Sequence, residues 1–279
     1  MAPFVSKVGA LAVSRSSDKM VQRRRQLGLL LQIGVPLVLL ASWWALSSKS
    51  INPFFPPLTE ILGRFRELWL FDKFVSDIVP SLTNLVLGFG IAVVLGVLMG
   101  LVFALVPVLS DLFSPLIHFY RAVPSIAIIP VFISLLGFGN EVRLLVIVLA
   151  AFPPTWIATM DGIKAVEPLL HEVAKVYRMT NGERVFGMLL PSALPQIFTG
   201  LQASLQFSFV VMIATEMLGS SVGIGALTIL AQQNFASADM WAGIVLLGVI
   251  GFISNYLLAR LRGRVLRWYD KSKALQLAA

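Results

Sequence analysis

Two ionisable residues, Arg121 and Glu216, lie well inside long apolar stretches of the sequence. Charged side chains are costly in hydrocarbon, and those found there usually face protein or a water-filled cavity. Arg121 shares helical spacing with Ser114, His118 and Ser125, which predicts one polar stripe. A guanidinium suits oxyanions, because it offers a fixed charge and a fork of donors. The alternative is structural: Arg121 pairs with a carboxylate or satisfies backbone carbonyls that a nearby proline frees.

Glu216 belongs to a second predicted stripe on one face of a later helix, together with Thr199, Gln202 and Gln206. Hydroxyl residues lie on the opposite face, where they suit helix packing: Ser204, Ser208 and Thr215. We therefore predict that the two polar stripes line a path for a solute.

Other chemistry is poorly supported by the sequence. The chain has no cysteine and two histidines, so neither a thiolate metal site nor a histidine cluster is expected. It has no phosphate-binding loop of the Gly-x-x-x-x-Gly-Lys-Ser/Thr type; the loop with Gly223 and Gly225 lacks the following Lys-Ser/Thr. An intramembrane enzyme would need a catalytic pair that the apolar stretches do not offer. We expect no catalytic residue, metal or cofactor in this chain.

The composition is that of a membrane protein. Of 279 residues, 57% are hydrophobic and 13% are charged, and several apolar stretches approach the roughly 20 residues that a spanning helix needs. We predict an all-α membrane protein with six spans, between a basic tail at 1–26 and another at 261–279. The predicted spans are Leu27–Ser47, Ser81–Val106, Leu112–Gly137, Arg143–Met160, Ile197–Gly219 and Met240–Ala259.

Prolines and small residues mark features of these spans. Pro124 and Pro130 should break the third span, and Pro153-Pro154 should interrupt the fourth. In the second span, small residues recur every four positions and should allow close helix contact: Gly88, Ala92, Gly96 and Gly100.

The segment between the first two spans begins with Pro53, Pro56 and Pro57, which disfavour a helix. Thr59 could then cap a helix with an apolar face made of Ile61, Leu62, Phe65, Leu68 and Trp69. This helix is expected either to lie on the outer membrane surface or to pack against the helix bundle.

The distribution of basic residues predicts the orientation. Most of the 22 Lys and Arg residues fall in the two tails and in the connection at about 161–195. Since cytoplasmic segments carry an excess of basic residues, both termini and this connection should be cytoplasmic. The net charge of +8 indicates contact with anionic lipid rather than nucleic acid.

Within that connection, Glu172–Pro195 is a polar island between apolar stretches. Thr180 and Glu183 have the Thr-x-x-Glu spacing of a capping box, so a second short helix should begin there. Asn181-Gly182 is prone to form a turn, and Pro191 is expected to stop the helix.

The island resembles the EAA motif of ABC importer permeases, which runs Glu-Ala-Ala, three residues, Gly, nine residues and Ile-x-Leu-Pro. Here Glu172-Val173-Ala174 opens it and Met188-Leu189-Leu190-Pro191 closes it at the same distance. Arg178 occupies the Gly position, where a positive φ would cost a residue other than glycine about 1–2 kcal/mol. Three alternatives stay open: the turn has shifted to Asn181-Gly182, Arg178 stays helical, or Arg178 occupies the turn with a positive φ.

Further segments resemble the nitrate/sulfonate/taurine permease group of ABC importers over roughly residues 30–270. They are Tyr120–Pro124, Leu136–Gly139, Leu190–Leu201 and Glu216–Ser220. The resemblance implies a type I importer permease fold in a bacterial inner membrane. It also implies a second permease copy of identical sequence, two cytoplasmic subunits that bind ATP and Mg, and a periplasmic solute-binding protein.

The same resemblance implies that short helices within the island dock in a groove of the ATPase. The residues expected to couple the two subunits are Glu172, Val173, Ala174, Tyr177, Arg178, Thr180, Gly182, Glu183, Phe186 and Pro191. The solute is expected to be a small anion of the sulfonate, taurine or nitrate type. Two alternatives stay open: an ABC importer permease for another solute, such as an amino acid, pyrimidine, aromatic acid, metal chelate or phosphate, and an ATPase-independent secondary transporter.

Overall fold

The computed structural model describes residues 28, 31–32, 34–48, 50, 52–269 and 271–272, and of Arg121 only the backbone. Every regular element in the described residues is a helix. Predictions for residues 1–26 lie outside the described residues, as do those for Asp270 and residues 273–279.

The chain divides into two units, Met1–Leu62 and Gly63–Ala279. In the first unit, helix α1 spans Gly34–Ser47, and Ser47 Oγ accepts a hydrogen bond from the backbone N–H of Leu58. Helix α2 runs Leu58–Phe65. It therefore begins one residue before Thr59, and the prediction that Thr59 caps it is wrong. The Pro57 carbonyl already accepts the N–H groups of Glu60 and Ile61, so the helix starts directly after the proline.

The second unit continues with wide helical turns of the π type at Arg66–Asp72 and Phe74–Ile78. In chain order, the helices that follow are α3 Val79–Leu105, α4 Pro107–Ala122, a 3₁₀ turn Ser125–Ile128, α5 Ile129–Leu136, α6 Asn140–Lys164, α7 Pro168–Val176, a π segment Glu183–Leu189, α8 Leu190–Gly219, α9 Ile224–Gln233 and α10 Ser237–Val265.

Four helical stretches in the described residues are long and apolar enough to cross a membrane, and they contain α3, α6, α8 and α10. A fifth crossing results if α4 and α5, which are bent by 85° around the 3₁₀ turn, form one broken span. The break that we predicted at Pro124 is therefore present. The first of the six predicted spans contains α1 and residues outside the described part of the chain.

The core of the second unit forms where α3, α6 and α8 pack together. The small-residue stripe of α3 contacts α6 as predicted: a Cβ on Gly88 would lie 2.5 Å from Ile147 Cγ2, and one on Gly100 would lie 2.5 Å from Thr159 Cβ. The hydroxyl face of α8 is also confirmed, because Ser204 is fully buried and lies 2.7 Å from the hydroxyl of Thr155 on α6.

Helix α6 passes through Pro153-Pro154 without interruption, which corrects the predicted break. Pro153 has no N–H to donate to the carbonyl of Leu149. The hydroxyl of Tyr120 donates to that carbonyl instead, over 2.6 Å. A neighbouring helix thus satisfies the freed backbone group, which is how helices in membranes tolerate proline.

Candidate functional site

A cavity of about 580 Å³ lies among α4, the 3₁₀ turn, α6 and α8. Most of its wall is apolar and includes Pro153, Pro154 and Phe207. Its polar lining comes from five side chains: Tyr120, Ser125, Asp161, Gln196 and Thr199. An apolar pocket with a few polar groups is the usual form of a small-solute site. We call it the central cavity.

The first predicted polar stripe does not exist as one helix face. Ser114 and His118 lie on α4, but α4 ends at Ala122, and Ser125 begins the 3₁₀ turn. The reason is Pro124, which disfavours helical backbone at the residue before it; Val123 is extended, with φ −80° and ψ 121°. Of this stripe, only Ser125 is among the described side chains that line the central cavity.

The second predicted stripe is divided as well. Thr199 lines the central cavity, whereas Gln202 and Gln206 are exposed on α8 and are not part of its wall. Gln196 and Phe207 belong to the wall instead. The positions 196, 199, 203 and 207 follow helical spacing, so the signal was present in the sequence. This signal was missed because the predicted stripe was centred on Glu216, which selected a different face of the helix.

The prediction that Glu216 faces the path is wrong. Glu216 is 1% exposed and lies in a cluster of buried polar groups at the end of α8. Ser81 Oγ donates to one carboxylate oxygen over 2.6 Å, and the backbone N–H of Gly225 donates to the other over 2.8 Å. Asp77, also buried, accepts the N–H of Gly223 over 2.9 Å. These groups, Asp77, Ser81, Glu216, Gly223 and Gly225, form what we call the buried clamp.

The clamp leaves no space for side chains on its glycines. Gly223 has φ +124° and a Cβ there would lie 2.5 Å from Cδ of Glu216. The clamp carboxylates take up N–H groups at the start of α9, which a helix leaves unpaired. Its role is therefore to hold the loop after α8 in place.

The island forms a helix, a turn and a second helix, as predicted, but the turn lies elsewhere. Asn181 and Gly182 are helical, and Arg178 has φ +51°. Of the alternatives for Arg178, the positive-φ turn is confirmed, and the shifted turn and the helical arginine are wrong. The N–H of Met179 bonds to the carbonyl of Ala174, and the N–H of Arg178 to that of Lys175. This is a Schellman motif, whose left-handed position usually holds glycine, and it explains the Gly of the EAA pattern.

The capping box is confirmed in full. The N–H and hydroxyl of Thr180 both donate to Glu183 Oε2 over 2.8 Å, and Thr180 Oγ1 accepts the N–H of Glu183 over 3.3 Å. These bonds fix the start of the second helix immediately after the turn.

Pro191 does not stop this helix, contrary to the prediction. The π segment Glu183–Leu189 continues directly into α8, and Pro191 lies in the first α-helical turn. The chain is therefore helical without a break from Asn181 to Gly219.

The island has one buried and one exposed side. Ala174 and Leu189 are buried in a cluster with Ile163 and Ile197. On the exposed side, Val176, Tyr177 and Phe186 are 79%, 78% and 70% accessible. Glu172 is exposed, and a hydrogen bond from Lys175 lowers the pKa of its carboxyl group. Large apolar side chains exposed together usually mark an interaction site.

The solved structures that resemble this fold are transporter components. The chain matches an inward-facing MetNI methionine ABC transporter with a TM-score of 0.55 at 18% identity, covering 72% of this chain and 97% of the other. It matches an amino acid ABC transporter solved with histidines with a TM-score of 0.51 at 19% identity, over 74% and 96%. The fold is thus that of a type I ABC importer permease.

Residues 92–267 match the family described as "Binding-protein-dependent transport system inner membrane component", and the chain belongs to that family. It is 29% identical to a putative aliphatic sulfonates transport permease protein of Bacillus subtilis, over 88% of this chain and 90% of the relative. It is 28% identical to a taurine transport system permease protein of Escherichia coli, over 86% and 90%. It is 30% identical to a bicarbonate transport system permease protein of Synechococcus elongatus, over 91% and 95%.

Proposed function

We propose that this permease subunit carries a small anion of the sulfonate, taurine or nitrate type, delivered by a periplasmic binding protein. The chain belongs to a binding-protein-dependent ABC importer and is not an enzyme, since the ATPase of such a system is a separate subunit. The observation that carries this proposal is the agreement among relatives that match most of the chain: they are named for sulfonates, taurine and bicarbonate.

The lining of the central cavity allows the solutes of this class to be ranked. Asp161 is the one carboxylate among the described residues that line it. A carboxylate repels a simple anion but attracts an ammonium group. Taurine, the solute named for the Escherichia coli relative, carries both a sulfonate and an ammonium group. We therefore place an amino-sulfonate ahead of nitrate.

Uptake by the reconstituted importer tests the solute. The binding protein that docks on the complex is purified, its retained ligand is identified by mass spectrometry, and ATP-driven uptake of that ligand is measured in vesicles. An amino-sulfonate is expected. Asp161→Asn should then weaken uptake of the amino-sulfonate more than uptake of an alkyl sulfonate without the amine. Retention of a cation, a sugar or an amino acid would contradict the proposal.

Arg121 keeps its predicted role in the path as part of this proposal. Its neighbours Tyr120 and Ala122 both line the central cavity. Arg121→Gln should reduce uptake while the complex still assembles. Unchanged uptake would exclude a role in the path, and failure to assemble would favour the structural alternative.

The exposed side of the island supports the proposed contact with the ATPase. In this arrangement two permease copies, identical in sequence, meet two cytoplasmic ATP-binding subunits in a bacterial inner membrane, with both termini on the cytoplasmic side. Tyr177 and Phe186 supply large apolar contact area, while Ala174 and Leu189 anchor the island to the rest of the protein.

The absence of cysteine from the sequence gives a clean background for crosslinking. A cysteine at Tyr177 should form a crosslink to the ATPase subunit, and one at the exposed Ser221, beyond the other end of α8, should not. Modification of Tyr177→Cys by an impermeant reagent added outside intact cells would contradict the proposed orientation.

A further inference from the structure

The end of α10 carries a group of basic side chains. Arg260, Arg262 and Arg264 lie in its last turns. Between Asp239, near the start of the helix, and Arg260 the sequence has no charged residue. The helix has 29 residues, or about 44 Å at 1.5 Å per residue, whereas the hydrocarbon core of a bilayer is roughly 30 Å thick. Arg260 therefore lies where α10 leaves the hydrocarbon and enters the headgroup layer.

Two of these arginines share one face of α10 with an aromatic residue. Tyr256, Arg260 and Arg264 follow one another at intervals of four residues, which places them within about 80° of arc on a helix. All three are exposed. Arg262 is also exposed, but by the same count it lies on the opposite face. We call Tyr256, Arg260 and Arg264 the basic stripe.

Tyr256 holds the guanidinium group of Arg260 in place. Arg260 Nε donates to Tyr256 Oη over 2.8 Å, and Cζ of Arg260 lies 5.2 Å from the centre of the tyrosine ring. The two terminal nitrogens of Arg260 point away from this bond and are available as donors. Paired guanidinium donors match the oxygen atoms of a phosphate. A guanidinium that is already positioned loses less conformational entropy when it binds.

The positive charge of the basic stripe is not neutralised within the part of the chain that the structure describes. Neither Arg260 nor Arg264 makes an ion pair there. Towards the hydrocarbon, the same face of α10 continues with Phe252 and Ile253, which are 72% and 48% accessible, and the ring of Phe252 stacks on that of Tyr256. Positive charge above an exposed apolar surface matches the structure of a lipid, whose charged headgroup lies above its acyl chains.

We propose that the basic stripe binds the headgroup phosphate of an anionic phospholipid. The phosphate accepts hydrogen bonds from Arg260 and Arg264, and an acyl chain lies against Phe252 and Ile253. Basic residues next to a membrane attract anionic lipids, whereas a zwitterionic headgroup brings a positive charge of its own. The same face of a second copy is a poor occupant, because it would place like charges together. This inference goes beyond the proposed function and depends on neither the solute nor the orientation.

Lipid binding to the purified permease–ATPase complex tests the inference. The complex in detergent is titrated with phosphatidylglycerol and with phosphatidylcholine of the same acyl chains, and native mass spectrometry measures the lipid bound. Phosphatidylglycerol should bind at least about fivefold more tightly. Glycerol phosphate, which carries the charge without acyl chains, should not displace it at the same concentration. Displacement would assign the stripe to a soluble phosphate compound and would contradict the inference.

Variants locate the site. Each basic residue near an anionic surface contributes about fivefold in affinity, so Arg260→Gln combined with Arg264→Gln should weaken phosphatidylglycerol binding at least about tenfold. The corresponding double lysine variant keeps both charges and should retain most of the binding, which excludes a folding defect. Tyr256→Phe removes only the acceptor that holds Arg260 and should cause a smaller loss. Arg262→Gln is the matched control and should bind as wild type does.

Two results with these variants would overturn the inference. One is equal binding of phosphatidylglycerol to wild type and to the double glutamine variant, or an equal loss in Arg262→Gln, since either would show that no particular face of α10 is used. The other is dissociation of the ATPase subunit from the double glutamine variant while lipid binding is unchanged, which would assign the stripe to that subunit.

Discussion

The two ends of the continuous helix that contains α8 are held in opposite ways. At Gly219 the chain enters the buried clamp, where Glu216 and Asp77 accept backbone N–H groups of the following loop. At Asn181 the helix follows an exposed turn in which Arg178 has φ +51°. One end is thus fixed by buried hydrogen bonds, and the other is a strained turn between exposed apolar side chains. Buried hydrogen bonds are therefore concentrated at the first end, and exposed apolar side chains at the second.

The largest expected effect comes from filling the clamp. Gly223→Ala places a Cβ against the Glu216 carboxyl group at a φ of +124°. Backbone strain and overpacking together should cost about 3 kcal/mol. Thermal unfolding of the purified variant in detergent measures this loss. Gly182→Ala is the control: its Cβ would meet nothing within 4 Å, and it should not lower the unfolding temperature.

Removing the clamp carboxylate should have the next largest effect. Glu216→Ala leaves the N–H of Gly225 and the hydroxyl of Ser81 without this acceptor in a buried site, at a cost of about 2 kcal/mol. Glu216→Gln keeps a carbonyl acceptor and should lose less. We expect the unfolding temperature to fall in the order wild type, Glu216→Gln, Glu216→Ala. Wild-type stability of Glu216→Ala would show that the clamp does not hold the fold.

At the other end of the helix, Thr180→Ala should cost about 1 kcal/mol, because it removes the hydroxyl that accepts the N–H of Glu183. The fraying should be local. Hydrogen exchange of residues 181–185 should become faster while exchange in α6 is unchanged. Thr180→Ser, which keeps the hydroxyl, is the matched control, and faster exchange in both variants would refute the cap.

The smallest expected effect is a gain in stability. Arg178→Gly removes the strain of a left-handed arginine, which should stabilise the turn by up to about 1 kcal/mol. Lys175→Gly, three residues earlier within α7, should instead destabilise by about 1 kcal/mol, because glycine is a poor helix former. The difference in unfolding temperature between the two glycine variants checks the comparison. Destabilisation by both would mean that Arg178 makes contacts that outweigh its backbone strain.

Features that depend on residues close together in the sequence were predictable from it. Thr180 and Glu183 form their capping box because both partners lie within four residues of each other. The stripe that contains Gly88 and Gly100 was predictable because small residues recur every four positions. Residues with this spacing lie on one face of a helix.

Features that depend on distant partners were not predictable in the same way. Helical spacing could not show that Glu216 meets Ser81, which comes from α3. The uninterrupted course of α6 depends on the hydroxyl of Tyr120, which arrives from α4. Arg178 adopts a costly φ because the Schellman bonds and the burial of Ala174 determine the turn, and no property of arginine itself indicates that outcome.

The length of one helix has a mechanical consequence. Glu183–Gly219 comprises 37 residues, or about 55 Å at 1.5 Å per residue, whereas the hydrocarbon core of a bilayer is roughly 30 Å thick. The helix is therefore a rod longer than the membrane it crosses. A tilt of about 10° moves one end of such a rod sideways by about 10 Å relative to the other. Since no loop interrupts it, a force on its exposed first turns, around Phe186, would displace the elements that pack against its far end.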